Sequence, residues 1–79
     1  MMELSLLSEH RSKLRNVISE REVQVLRLTS QGFSTQEIAM QLYLSGETVK
    51  SHRRNLLIKL KARNAAHLVR KGIEYNLIH

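Results

Sequence analysis

The sequence predicts an all-α fold: a four-helix bundle built around a helix-turn-helix, with an extra N-terminal helix or a linker ahead of it. Three observations predict it. An apolar residue, a serine and a second apolar residue five positions after the first recur as "ISEREV" at 18–23, "FSTQEI" at 33–38 and "LSGETV" at 44–49. Gly32 stands two residues before the second of those serines, at a place where a helix can end. The chain has no proline and little of the two-residue alternation of a half-buried strand.

The elements follow in order. Leu4, Leu7, Leu14 and Ile18 fall at helical spacings, but Arg11 breaks the stripe and no capping box announces it. Residues 1–17 therefore read as a marginal helix or linker, and residues 18–79 as the helix-turn-helix domain. Ser19, Ser34 and Ser45 each offer an oxygen to the free N–H groups of a helix's first turn. The apolar residue before each serine can staple to the one five positions on, pairing Ile18 with Val23, Phe33 with Ile38 and Leu44 with Val49. Glu22 and Glu37 complete capping boxes, and Thr48 fills that place more weakly. Helices are thus predicted at 20–31, 35–42 and 46–61, with only "YLS" separating the second from the third. A short helix, a tight turn and a second helix make the helix-turn-helix pattern. Asn64 can cap a fourth helix over 65–75, where Ala65, Leu68, Val69 and Ile73 keep helical spacing.

Composition narrows the function. At 79 residues the chain is one small domain whose helices must share one apolar centre. Without cysteine, neither disulfides nor thiolate metal sites are available. His10, His52, His67 and His79 lack tight ligand spacing, so no metal and no cofactor is expected. The apolar part of "MMELSLLSEHRSK" is too short for a secretory signal and is interrupted by Glu3, and no run reaches membrane-spanning length. A soluble, cytoplasmic protein with no membrane partner is the expectation. Glu20, Glu22 and Glu37 stand at helix starts and the serines act as caps, so no catalytic residues are assigned and the chain does not read as an enzyme.

The formal charge of +6 points to an anionic partner, and its distribution points to a place. Between residues 46 and 71 the bases are Lys50, Arg53, Arg54, Lys59, Lys61, Arg63, Arg70 and Lys71, against the acid Glu47. On a helical wheel Val49, Leu56 and Leu60 align on one side of the third helix, with His52, Arg53 and Leu57 at the margins. Glu47, Lys50, Ser51, Arg54 and Lys61 lie opposite. A solvated charged face is the ordinary reading of such a pattern. Within a helix-turn-helix the same face can enter the major groove, where Arg54 and Lys50 suit guanine edges and Ser51 lets the backbone approach. Thr35, Gln36 and Thr48, at helix N-termini, are placed for backbone phosphates, and Arg53, Lys59 and Arg63 would add charge at the flanks. His52 suits a structural histidine as well as a phosphate contact.

The segment "SEREVQVLRLTSQGFSTQEIAMQLYLSGETVKSHRRNLLIKLKARNAAHLV", residues 19–69, resembles the DNA-binding domain of LuxR/GerE/FixJ-type bacterial transcription regulators. The resemblance rests on "REVQVL" leading to Gly32, "EIA" at 37–39, "TVKSH" at 48–52 and "KL" at 59–60, in order and at the family's spacing. It implies a four-helix bundle that binds double-stranded DNA, with base contacts from Lys50, Ser51 and Arg54. Backbone contacts would come from around Thr35, Gln36, Thr48 and His52. It also implies a homodimer through the fourth helix, with Ala65, Ala66, Leu68, Val69 and Ile73 as candidate contacts that must also supply core.

The chain departs from the family pattern at three positions. Lys61 replaces the glycine that commonly follows "KL", so the third helix must continue there or accept strain. Gln36 replaces a lysine, and Ile58 stands where a polar residue is usual, which suits an interface or a contact with the fourth helix. No receiver or ligand-sensing domain is recognisable, consistent with a stand-alone regulator or a piece of a longer one. Two alternatives share these features. One is a sigma-factor region-four-like module, with RNA polymerase as a candidate partner. The other is a helical adaptor or antagonist that meets a full-length regulator through the fourth helix.

Overall fold

The computed structural model describes residues 17–79, and the expectation of a marginal helix or linker over residues 1–16 lies outside them. Four helices follow: α1 (Glu20–Ser30), α2 (Thr35–Leu42), α3 (Gly46–Lys59) and α4 (Ala65–Glu74), with no strand among the described residues. The expected all-α bundle is what the chain forms.

The helix starts form as the cap chemistry requires. Ser19 accepts from the N–H of Glu22 at 3.1 Å while Glu22 Oε1 accepts from the N–H of Ser19 at 2.8 Å. Ser34 and Glu37 repeat the arrangement at 3.2 and 2.9 Å. Ser45 accepts from the N–H of Thr48 at 3.1 Å, and the two hydroxyls share a 2.8 Å bond, so here a hydroxyl pair replaces the full box. Asn64 accepts from the N–H of His67, whose Nδ1 accepts in turn from the N–H of Arg63. That reciprocal cap was not foreseen, because histidine is not a usual partner in the motif.

The helix ends share one device. After each helix a residue takes a positive φ: Gly32 at 92°, Tyr43 at 55°, Lys61 at 53° and Asn76 at 59°. The N–H after it reaches back to a carbonyl of the last turn, from Phe33 to Leu28, Leu44 to Ala39, Ala62 to Leu57 and Leu77 to Gly72. These are Schellman terminations, which satisfy carbonyls that would otherwise be left open. At Lys61 the helix therefore stops instead of continuing to 61 as predicted, and a lysine carries the left-handed strain that glycine would avoid.

The core gathers one stripe from each helix: Val25 and Leu26, Ile38 and Ala39, Val49 and Leu56, and Leu68, with Ile18 and Leu60 beside them. It is closed by Leu77 and Ile78, which fold back after α4 and are buried. Gly72 makes that closure possible. A Cβ there would stand 2.9 Å from Leu26 Cδ2 and 3.2 Å from Ile78 Cδ1. The α2–α3 turn leaves Tyr43 94% exposed.

Candidate nucleic-acid interface

The third helix is held as its wheel implies. Val49 and Leu56 are fully buried and Leu60 nearly so, whereas Glu47, Lys50, Ser51 and Arg54 are exposed along the opposite side. Nothing in the described chain covers that outer side. Lys50 makes a loose 3.6 Å pair with Glu47, both exposed, and such a pair contributes at most about 1 kcal/mol. Its ammonium can therefore exchange Glu47 for a better acceptor. Ile58 lies one turn beyond Arg54 on this outer side and is 69% exposed. Of the interface or fourth-helix contact expected of it, this exposed position suits the interface.

The N-termini of α2 and α3 carry the remaining expected contacts. Thr35 is half-buried and Gln36 exposed at the start of α2, and Thr48 is half-buried in the first turn of α3. Caps at Ser34 and Ser45 occupy the N–H groups of Glu37 and Thr48, leaving the earlier first-turn N–H groups outside the helical ladder. The Ser34 N–H and hydroxyl hold the exposed Glu37 carboxyl below the usual range, so it stays ionised within the cap. His52 is half-buried at the margin of the stripe.

Two bases expected at the flanks are committed elsewhere. Lys59 Nζ lies 2.8 and 3.0 Å from the two carboxylate oxygens of Glu22, and 3.0 Å from the carbonyl of Val17. Glu22 is only 3% exposed. Burial pushes its carboxyl up, but the Lys59 ammonium and the Ser19 bonds outweigh that and hold it below its ordinary value. Lys59 thus joins the end of α3 to the start of α1, with part of its side chain still exposed and its ammonium held by the buried Glu22. Arg53 donates from Nη1 to Thr35 Oγ1 at 2.9 Å and from Nε to Thr29 Oγ1 at 3.4 Å. Arg63 remains exposed in the α3–α4 connection, roughly 20 Å along α3 from its cap.

Neither engagement was read from the sequence, although a spacing signal existed for each. Glu22 stands three and four residues ahead of the buried Val25 and Leu26, and Arg53 stands four after Val49 and three before Leu56. A charged residue inside an apolar stripe implies a buried partner.

On α4 the expected dimer residues divide. Leu68 is 1% exposed and supplies core alone, so it is withdrawn from the surface set. Val69 is half-buried against the core, and Ala65, Ala66 and Ile73 are exposed. Among the described residues no group of three or more His, Cys, Asp or Glu is placed to hold a metal ion, and no helix is long and apolar enough to cross a membrane.

A transcriptional activator protein of Dickeya chrysanthemi, EchR, is 43% identical over 68 residues, covering 86% of this chain and 27% of that protein. The response regulator protein VraR of Staphylococcus saprophyticus is 36% identical over 70 residues, or 89% of this chain and 34% of its own length. VraR of Staphylococcus aureus is 37% identical over 68 residues, again 86% of this chain and 32% of its own. The chain thus spans between 27% and 34% of the length of these relatives. The GerE family, described as bacterial regulatory proteins of the luxR family, matches residues 16–71. With its four-helix bundle and that match, the chain belongs to the luxR family of bacterial regulatory proteins, which are regulators and not enzymes.

Proposed function

We propose that this domain binds double-stranded DNA and regulates transcription by laying α3 in the major groove. The observation that carries this reading is the division of α3: one side is pinned in the core by Val49, Leu56 and Leu60, while Lys50, Ser51 and Arg54 project from the other, uncovered. In this reading Arg54 and Lys50 meet base edges, and Ser51 permits close approach. Thr35, Gln36, Thr48 and His52 meet the flanking backbone, and Arg63 adds distant charge. Lys59 is left out because Glu22 holds its ammonium. The activator and response-regulator names of the relatives support a regulatory role in the cytoplasm, where the chromosome lies. The domain pairs with a second copy through the exposed part of α4, Ala65, Ala66 and Ile73, with Val69 at its edge.

Selection from random duplexes, repeated at two salt concentrations, tests the reading. An enriched motif is expected, with log K falling against log salt by roughly 0.9 per phosphate contacted. Arg54→Ala or Lys50→Ala should cost about 1–3 kcal/mol on that motif and relax preference at one position. Equal losses on every duplex would make these residues phosphate contacts only. No enrichment at all would remove the sequence-specific reading.

A further inference from the structure

Arg53 lies half-buried at the margin of the apolar stripe of α3, between Val49 and Leu56 in sequence, and it reaches two other helices through one guanidinium. Its Nε donates to the Thr29 hydroxyl at the end of α1, and its Nη1 to the Thr35 hydroxyl at the start of α2. The two threonines are in different states. Thr29 gives its own proton to the carbonyl of Val25 at 2.8 Å, so it faces Arg53 purely as an acceptor. Thr35 accepts from Arg53 and keeps its proton. A hydroxyl has one proton and two lone pairs, and a cation against a lone pair turns the O–H away from itself. Thr35 is therefore presented as an oriented donor at the first position of α2.

We propose that Arg53 is a positioning residue for DNA binding: it aims the Thr35 hydroxyl at a backbone phosphate oxygen and ties the start of α2 to α3, and it does not itself neutralise a phosphate. This rests on the DNA-binding reading above and assigns Arg53 a different role from the flanking charge that the sequence implied. The planar guanidinium is required, because its separate N–H groups reach Thr29 and Thr35 at once. A lysine would keep the charge and lose that geometry.

The test uses the full 79-residue chain and a duplex enriched by the wild type from a random pool. Arg53→Lys should weaken binding by about tenfold, the worth of one oriented hydrogen bond, with the salt slope unchanged because no charge is lost. Thr35→Val should weaken binding to the same degree, Thr35→Ser should retain wild-type affinity, and Arg53→Lys in the Thr35→Val background should add little. Thr35→Val and Thr35→Ser make small changes in volume, and urea unfolding of each variant confirms that folded protein is being compared. Near-wild-type affinity of Arg53→Lys together with a slope lowered by about 0.9 in Arg53→Ala would make Arg53 a phosphate contact and overturn the proposal. Losses that multiply in the double variant would overturn it as well. Failure of the wild-type chain to enrich any duplex is a separate outcome, which removes the DNA-binding reading and this inference with it.

Discussion

Replacing Lys59 by methionine separates the two roles that a lysine at the end of α3 can have. The side chain's stem is kept and only the ammonium is lost, which leaves the Glu22 carboxylate buried without its counter-ion. Breaking a fully buried pair costs about 3–5 kcal/mol. Lys59 keeps 31% of its side chain exposed, so solvent already screens part of the pair, and the expected loss is about 2–3 kcal/mol. At roughly 4–8 °C per kcal/mol for a domain of this size, the melting temperature should fall by about 10–20 °C. Urea unfolding followed by circular dichroism would measure the loss in Lys59→Met, in Glu22→Gln and in the double variant. Because a neutral amide needs no counter-ion, the double variant should be more stable than the two single losses added together, by about 1–2 kcal/mol.

The pH dependence gives a second readout. Glu22 has a folded pKa below its unfolded one, so it stabilises the fold above the ordinary carboxylate range. That contribution is lost as the pH falls through the folded value. In Lys59→Met the depression is smaller, since the ammonium that opposed burial is gone, and the gap from wild type should narrow in acid. If Lys59→Met unfolds within about 0.5 kcal/mol of wild type at neutral pH while its DNA salt slope drops by about 0.9, the reasoning is refuted. The ammonium would then work at a phosphate and not in the interior.

Three further substitutions test the ends of the helices and the closure of the core. Lys61→Gly should stabilise the domain by about 0.5–1 kcal/mol, because φ is 53° there and glycine adopts that conformation without a Cβ clash; the urea midpoint should rise with the slope unchanged. Gly72→Val should destabilise by at least about 2 kcal/mol, since even a Cβ would lie 2.9 Å from the fully buried Leu26. Ile78→Ala should cost about 2–4 kcal/mol by thermal or urea unfolding, although it lies beyond the last helix, because its side chain is 1% exposed in the core.

What the sequence made legible was whatever is decided within five residues. Serine caps, the Glu22 and Glu37 boxes and the Gly32 stop are local chemistry, and each formed where the spacing put it. The inner side of α3 was legible for a related reason, since Val49, Leu56 and Leu60 keep a period that leaves Lys50, Ser51 and Arg54 on the opposite side. The end of α2 at Leu42 also fell where the short turn before Ser45 put it, but the left-handed stops were not legible, because Tyr43, Lys61 and Asn76 accept that conformation only when packing makes the Schellman bonds worth the strain. Leu77 and Ile78 show no helical repeat, so only the space left beside Gly72 reveals that they close the core.

The candidate interface failed to be legible in the same way, and the failure has a direction. Wheel position sorts side chains by where they start, whereas long cations are sorted by where they end. Lys59 and Arg53 leave α3 close to positions that serve a charged flank, but Lys59 ends on Glu22, 37 residues away, and Arg53 on Thr35, 18 residues away. Lys50 and Arg54 have no long-range partner among the described residues, so their ends stay where their wheel positions put them. Counting basic residues therefore overstates the number of phosphates that this domain can neutralise. The salt slope should be smaller than the basic residues of α3 and its flank suggest, short by the two cations that the fold has already engaged.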